Sequence, residues 1–203
     1  MAEILCLCAH PDRAHSRVSA RLMDALASTP FPPGKLELRD LYRLYPDYAI
    51  DIEAEQQALA QARLVIWLHP IHWYGMPALM KLWLDEVFSY GWAYGPGGHA
   101  LQGKDLWLLL STGGAEAAYS PQGHHRHAFQ DFLLPYEQTA RLCGLRLLPP
   151  QVLHGAHRAD DETIAQHVRK ALQHLLNYPH WCGSQRAEQE ELPAGERPVE
   201  AQA

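Results

Sequence analysis

The sequence predicts an α/β fold, a doubly wound five-stranded parallel sheet. Three observations lead there. Short apolar runs alternate with segments of helical periodicity along the whole chain. The runs Ile4 to Ala9, Leu64 to His69 and Leu106 to Leu110 lack polar alternation, the pattern of parallel strands covered on both faces. The 203 residues suffice for one domain with a sizeable core.

Each element follows from local chemistry. The first strand, Ile4 to Ala9, breaks at His10-Pro11-Asp12. A helix from about Ser16 to Leu26 follows, with Val18, Leu22 and Leu26 on one face. Pro30 to Gly34 reads as a loop, and the alternating run Lys35 to Leu41 as a second strand at the sheet edge. Residues Tyr42 to Asp51 read as irregular and Ile52 to Ala62 as a helix. Leu64 to His69 is the clearest strand signal and ends at Pro70. Pro77 then opens a helix at a position where its missing N–H costs little, with Leu79, Leu82, Trp83 and Val87 as its apolar stripe. Leu106 to Leu110 is the fourth strand. A helix spans about Phe129 to Leu142 and stops at Gly144. Arg146 to Leu153 is a fifth strand, made irregular by Pro149-Pro150. Asp160, Asp161 and Glu162 place negative charge at the start of a last helix, whose buried face is Ile164, Val168, Leu172 and Leu175. Five strands suit the order 2-1-3-4-5, which places a site at their carboxyl ends. This domain is expected over residues 1–183. From about Ser184 the chain turns to Glu, Gln, Ala, Pro and Gly, an acidic tail expected to be disordered over 184–203.

Composition narrows the function. Hydrophobic residues make up 47% and charged residues 20%, and the net charge is -6. A nucleic-acid partner is excluded as the expectation, because a duplex binder needs a basic surface and no Lys/Arg-rich run is present. No apolar stretch approaches the roughly 18 residues that span a bilayer, and the run Ile4 to Ala9 is too short for a signal-peptide core and lacks a preceding basic region. The expected compartment is the cytoplasm. Cys6 and Cys8 share one face of the first strand and read as small core hydrophobes, with Cys143 and Cys182 apart from them. No metal site is expected. His124, His125 and His127 lack a nearby carboxylate or cysteine in the sequence and read as solvated loop residues. Asp85 and Glu86 read as the polar face of their helix, and Trp67, Trp83 and Trp107 as core.

Three loops at strand ends carry candidate chemistry. The first delivers His10, Ser16 and Ser19 beside a helix N-terminus, where free N–H groups attract a phosphate; Ser16 could equally serve only as the cap. The second, Pro70-Ile71-His72-Trp73-Tyr74-Gly75-Met76-Pro77, sets two adjacent aromatics where they can flank a planar ring and offer N–H groups to it. Alternatively, Trp73 and Tyr74 pack under the loop as core. The third, Ser111-Thr112-Gly113-Gly114-Ala115, lets the backbone approach a flat ligand, or simply turns. Donors aimed at a ring that gains negative charge favour its reduction.

Several motifs now carry a resemblance. Leu44-Tyr45-Pro46-Asp47, Asp51-Ile52-Glu53-Ala54-Glu55-Gln56, His69-Pro70 with Trp73-Tyr74, Lys81-Leu82-Trp83, Gly91-Trp92-Ala93-Tyr94-Gly95 and Thr112-Gly113-Gly114 resemble a family of flavodoxin-like NAD(P)H:quinone oxidoreductases. Within it the match is best to the ancillary oxidoreductases of glutathione-regulated potassium-efflux systems, over roughly residues 1 to 180. The resemblance implies a flavodoxin-like fold, FMN rather than FAD as cofactor, NAD(P)H as reductant, a quinone as acceptor, and a homodimer with the site at the subunit boundary. It places FMN against His10, Ser16 to Ser19, Ile71, His72, Trp73, Tyr74, Ser111, Thr112, Gly113 and Gly114. The stretch Tyr119-Ser120-Pro121-Gln122-Gly123-His124-His125 also resembles the Tyr-Ser-x-Gln-Gly-x-His segment of the animal quinone reductase DT-diaphorase. That match makes Tyr119 and His125 the catalytic pair, flanking the flavin and donating hydrogen bonds as charge develops. The reaction implied is ping-pong, two-electron reduction of quinones. A rival reading is a regulatory subunit that docks on the cytoplasmic face of a potassium/proton antiporter, with secondary or vestigial turnover. A one-electron carrier fits less well, because His-Pro-Asp-Arg-Ala-His-Ser replaces the Ser/Thr- and Gly-rich phosphate loop of that class.

Overall fold

In the computed structural model, which describes residues 2–182, β1 (Ile4–Cys8) lies between β2 (Leu36–Asp40) and β3 (Leu64–Pro70). β4 (Asp105–Ser111) pairs with β3 on one side. On its other side it pairs with two short strands, β5 (Arg146–Leu147) and β6 (Gln151–Leu153). All pairings are parallel, and the order is the expected 2-1-3-4-5, a flavodoxin-like sheet. The last position is split because Pro149 and Pro150 have no N–H to give to the ladder. Ile4 lies opposite both Leu36 and Leu64, and Leu64 opposite Asp105, so the strands run in phase and their carboxyl ends finish at one edge.

Helices cover both faces, as the unalternated strands require. Ile4, Cys6 and Cys8 pack with Ile66, Leu68, Trp107 and Leu109 beneath α1 (Ser19–Ser28) and α6 (Asp161–Leu176). Leu5, Leu7, Val65, Trp67 and Leu108 face the other way. They meet α2 (Leu41–Leu44), α3 (Ile52–Gln61), α4 (Ala78–Val87) and α5 (Leu134–Leu142). Trp67, Trp83 and Trp107 are core, and Asp85 pairs with Lys81 on the exposed side of α4. Burial pushes the Cys6 thiol up to about 12 and Cys8 well above its usual range, so both stay protonated and unreactive. Among the described residues, no helix is long and apolar enough to cross a membrane.

Three helical segments differ most from expectation. The first helix starts at Ser19 rather than Ser16, after a 3-10 turn at Arg13–His15. The reason is local: the Ser16 hydroxyl accepts hydrogen bonds from the N–H groups of Ser19 (3.0 Å) and Ala20 (3.4 Å), which ends the helix there. The segment read as one helix from Phe129 divides into a 3-10 stretch, Phe129–Leu133, and α5, with Pro135 in the first turn of α5. The segment read as irregular contains the single turn α2, and Asp51 caps α3 through the Ala54 N–H at 3.0 Å. Gly144 follows α5 with φ 69°, the left-handed conformation that closes a helix. The tail assigned to 184–203 lies outside the described residues, as does the Cys182 side chain.

Two buried histidines tie stability to pH. His69 is fully buried, with Nδ1 2.9 Å from the Pro70 carbonyl, and burial lowers its pKa from 6.5 to about 4. His167 is buried against Gln151, whose amide N–H donates to the His167 carbonyl at 2.8 Å; burial chiefly, with Lys170 nearby, lowers its pKa to about 4. Both values are lower in the fold than in the unfolded chain, so the unfolded chain takes up protons first on acidification. Stability should be complete above about pH 6.5 and fall toward pH 4, by at most about 3 kcal/mol per group. Urea denaturation at about pH 7 and about pH 4.5 checks this, and equal midpoints would contradict it.

Candidate functional site

The loops after β1, β3 and β4 meet at the carboxyl edge of the sheet. Ring contacts and backbone bonds join them. His10 and His72 sit edge to face, 6.4 Å between centroids, and Ile71 N–H donates to the Ser111 carbonyl at 2.8 Å. Burial, with His72 next, lowers the His10 pKa. Its Nδ1 accepts the Asp12 N–H at 3.1 Å.

The second loop closes as a tight turn. The N–H groups of His72 and Gly75 each donate to the other's carbonyl at 3.0 Å, and the two central residues have positive φ, 46° at Trp73 and 65° at Tyr74. This is the mirror-image turn usually made by Asn-Gly, and bulky residues in it are strained by about 1–2 kcal/mol each. Trp73 stands 95% exposed in this turn. Trp73 therefore does not pack under the loop as core. Tyr74, half exposed, stacks on Phe132 at 5.1 Å and meets the edge of His125 at 5.6 Å.

Tyr119 and His125 come together against the glycine pair. Their rings stack at 4.3 Å with 23° between planes. A Cβ built on Gly114 would lie 3.0 Å from His125 Nε2 and 3.3 Å from the Tyr119 hydroxyl. The Tyr119 and His125 rings occupy the space that a side chain at Gly114 would take. His125 Nδ1 is buried and makes no hydrogen bond among the described residues. Behind Tyr119 opens a cavity of about 480 Å³, whose polar wall includes Glu116, His154, His167 and Lys170.

The first loop behaves less uniformly. Val18 and Ser19 are buried, and the Ser19 N–H is engaged by the Ser16 hydroxyl. The Ser16 hydroxyl is engaged as a cap, and its proton remains free to donate. The Arg17 guanidinium donates to the carbonyls of Ala156 (3.2 Å) and His157 (3.1 Å), which ties this loop to the one after β6.

That fourth loop was missed by sequence reasoning. It carries His154 and His157. The His157 ring lies over Gly113, 3.1 Å from where a Cβ would stand, and His154 Nδ1 lies 3.0 Å from the Thr112 hydroxyl. The available signal was its position after a parallel strand, masked by Pro149-Pro150. The loop also orients the third loop. Ala156 N–H donates to the Thr112 carbonyl and Gly155 N–H to the Gly114 carbonyl, both at 2.8 Å. In a trans peptide the carbonyl and the following N–H point oppositely. The N–H groups of Gly113 and Ala115 therefore face away from the fourth loop.

These features fit a flat heteroaromatic group with a phosphate tail. A glycine cradle, an exposed indole, an unpartnered imidazole nitrogen and outward N–H groups supply stacking and donors. A capped helix start with Ser16 supplies a phosphate end.

The chain belongs to a family with the flavodoxin-like fold, whose model matches residues 2–175. Among curated relatives it is 44% identical over 175 residues to the glutathione-regulated potassium-efflux system ancillary protein KefF of Enterobacter sp. (strain 638), covering 86% of this chain and 96% of that protein. Three solved structures are similar. One is described as a thermophilic tryptophan halogenase from Streptomycin violaceusniger (37% identity, TM-score 0.79, 85% of this chain and 98% of that one). The second is general stress protein 14 from Treponema denticola in complex with FMN (34%, TM-score 0.78, 85% and 97%). The third is a putative quinone reductase from Klebsiella pneumoniae (26%, TM-score 0.73, 87% and 85%). Their names span different chemistries, so the likeness fixes the family and the site must carry the reaction.

Proposed function

We propose that this protein is an FMN-dependent oxidoreductase that reduces quinones by two electrons at the expense of NAD(P)H. The observation that carries the reading is the stacked Tyr119–His125 pair held against Gly114, facing a loop that strains Trp73 into the open. An FMN-bound relative at 34% identity and a putative quinone reductase at 26% support the cofactor and the acceptor.

In this reading FMN, when bound, supplies the hydride chemistry between NAD(P)H and quinone. The chain's own residues bind and orient. The Ser16 hydroxyl, whose proton is free to donate beside the positive end of α1, would hold the phosphate. The loops carrying Ile71 to Tyr74 and Ser111 to Gly114 would hold the ring, and the N–H groups of Gly113 and Ala115 would favour negative charge on it. Tyr119 donates its phenolic hydrogen bond as charge develops, and His125 exchanges the proton that quinone reduction consumes. NAD(P)H and quinone use one place in turn, which gives ping-pong kinetics. The protein acts as a homodimer in the cytoplasm. Exposed Leu44, Tyr48 and Ile52, within one short segment, offer an apolar face for the second subunit.

Tyr119→Phe and His125→Ala should each lower turnover by about 10- to 100-fold, with the fold intact. Stopped-flow reduction and reoxidation test this together with initial-rate patterns, which should be parallel. Unchanged half-reactions in both variants would remove the assigned roles, and intersecting patterns would remove the ping-pong order.

The likeness to KefF favours a second reading, a subunit that docks on the cytoplasmic side of a potassium/proton antiporter with turnover secondary. Potassium efflux restored in cells by a variant unable to bind FMN would support it over the first.

A further inference from the structure

Thr112 makes two side-chain hydrogen bonds with one hydroxyl proton. Its Oγ1 lies 2.8 Å from the Gly114 carbonyl oxygen and 3.0 Å from Nδ1 of His154. A carbonyl oxygen only accepts, so the hydroxyl proton must go to Gly114. Nδ1 of His154 must then carry the hydrogen that Thr112 accepts. The imidazole is packed to hold this arrangement. Phe129 meets its ring edge to face at 4.8 Å, and Tyr119 lies at 5.3 Å. Burial lowers the His154 pKa, against a weaker opposite effect of Glu116, so the ring is neutral and its single proton has to choose a nitrogen.

We infer that His154 is a positioning residue, locked as the Nδ1–H tautomer, which fixes the Thr112 hydroxyl and through it the Gly114 carbonyl. That carbonyl then receives two donors, Thr112 Oγ1–H and Gly155 N–H, each at 2.8 Å. With both its lone pairs engaged, the peptide after Gly114 cannot rotate, and the Ala115 N–H is kept facing away from the fourth loop. His154 touches no reacting group in this scheme. It acts through Thr112 on the donors that favour negative charge on the bound ring. The significance for cofactor binding rests on the flavin reading above, whereas the tautomer and the relay do not.

The test has two arms. The first is the ring-nitrogen NMR spectrum of the cofactor-free protein labelled with 15N-histidine near pH 7, with His154→Asn identifying the resonances. The relay requires a protonated Nδ1 and a bare Nε2, and the opposite tautomer overturns it. The second arm compares His154→Asn, whose side-chain N–H stands where Nδ1–H stood, with His154→Leu, which has no donor. FMN titration by fluorescence quenching should give a Kd within about threefold of the original for Asn and raised about tenfold for Leu, the size of one hydrogen bond to a fixed group. The midpoint potential of bound FMN should move negative in the Leu variant and recover in the Asn variant. Equal Kd and potential in both variants and the original would overturn the positioning role. If the original protein takes up no FMN, the flavin reading fails, and the NMR arm alone decides the relay. A Leu variant that does not fold leaves that same arm decisive.

Discussion

Glu55→Ala is expected to destabilise the protein by about 3–5 kcal/mol, the cost of leaving partners of a buried ion pair without it. Glu55 is fully buried, and its carboxylate accepts from Arg39 Nε (3.0 Å) and Nη2 (2.7 Å), from Trp83 Nε1 (3.0 Å) and from the Tyr45 hydroxyl. These donors come from β2, α4 and the end of α2, so one carboxylate ties three elements to α3. Burial, then Glu55, pushes the Tyr45 hydroxyl up to about 12, which keeps it a donor at any working pH. Without the carboxylate, the Arg39 guanidinium would keep only Glu37 as an acidic partner. For a domain of this size the loss corresponds to a fall of roughly 10 °C in Tm. Glu55→Gln keeps an acceptor and should cost distinctly less. Thermal and urea denaturation of both variants check this, and an Ala variant within about 1 kcal/mol of the original would show that the network contributes little.

Gly114→Ala should act on the reaction instead of the fold. The added methyl would stand 3.0 Å from His125 Nε2 and 3.2 Å from Tyr119 Cε2, so both rings must move. The displaced atoms are ends of side chains, which can swing at small cost in stability. Misplacement of catalytic groups by even a fraction of an ångström is expensive in rate, and quinone turnover should fall by about 10- to 100-fold. The expected pattern is a kcat effect with Tm nearly unchanged. A variant that turns over normally would mean that the Tyr119–His125 pair need not sit against Gly114. Gly113→Ala offers a contrast, because its methyl would meet only the exposed His157 ring, at 3.1 Å.

Much of this architecture is legible in the sequence, for physical reasons that differ by region. The unalternated runs from Ile4, Leu64 and Leu106 announce strands buried on both faces, and their loops converge because parallel strands in phase must end together. The resemblance to the DT-diaphorase segment names Tyr119 and His125, and the structure brings both rings against Gly114. What stayed hidden depends on contacts distant in the chain. In the sequence, Tyr45 and Glu55 figure only as members of the quoted motifs, and the structure shows them in a buried ionic network with Arg39 and Trp83. His154 and His157 lie some forty residues beyond the loop they touch, after a strand broken by two prolines. Ser16 shows the limit of local signals, since one hydroxyl can cap a helix and still donate to a phosphate.

The central claim is that this chain works as a flavin-dependent quinone reductase, and one titration addresses it most directly. The purified protein, supplied with FMN, would be followed by visible absorbance under anaerobic conditions while NADPH and then a benzoquinone are added. The account predicts a yellow protein that bleaches with about one equivalent of NADPH and regains its colour with about one equivalent of quinone, as two-electron steps at a single bound FMN require. A protein that stays colourless with FMN, or whose colour ignores both additions, would contradict it.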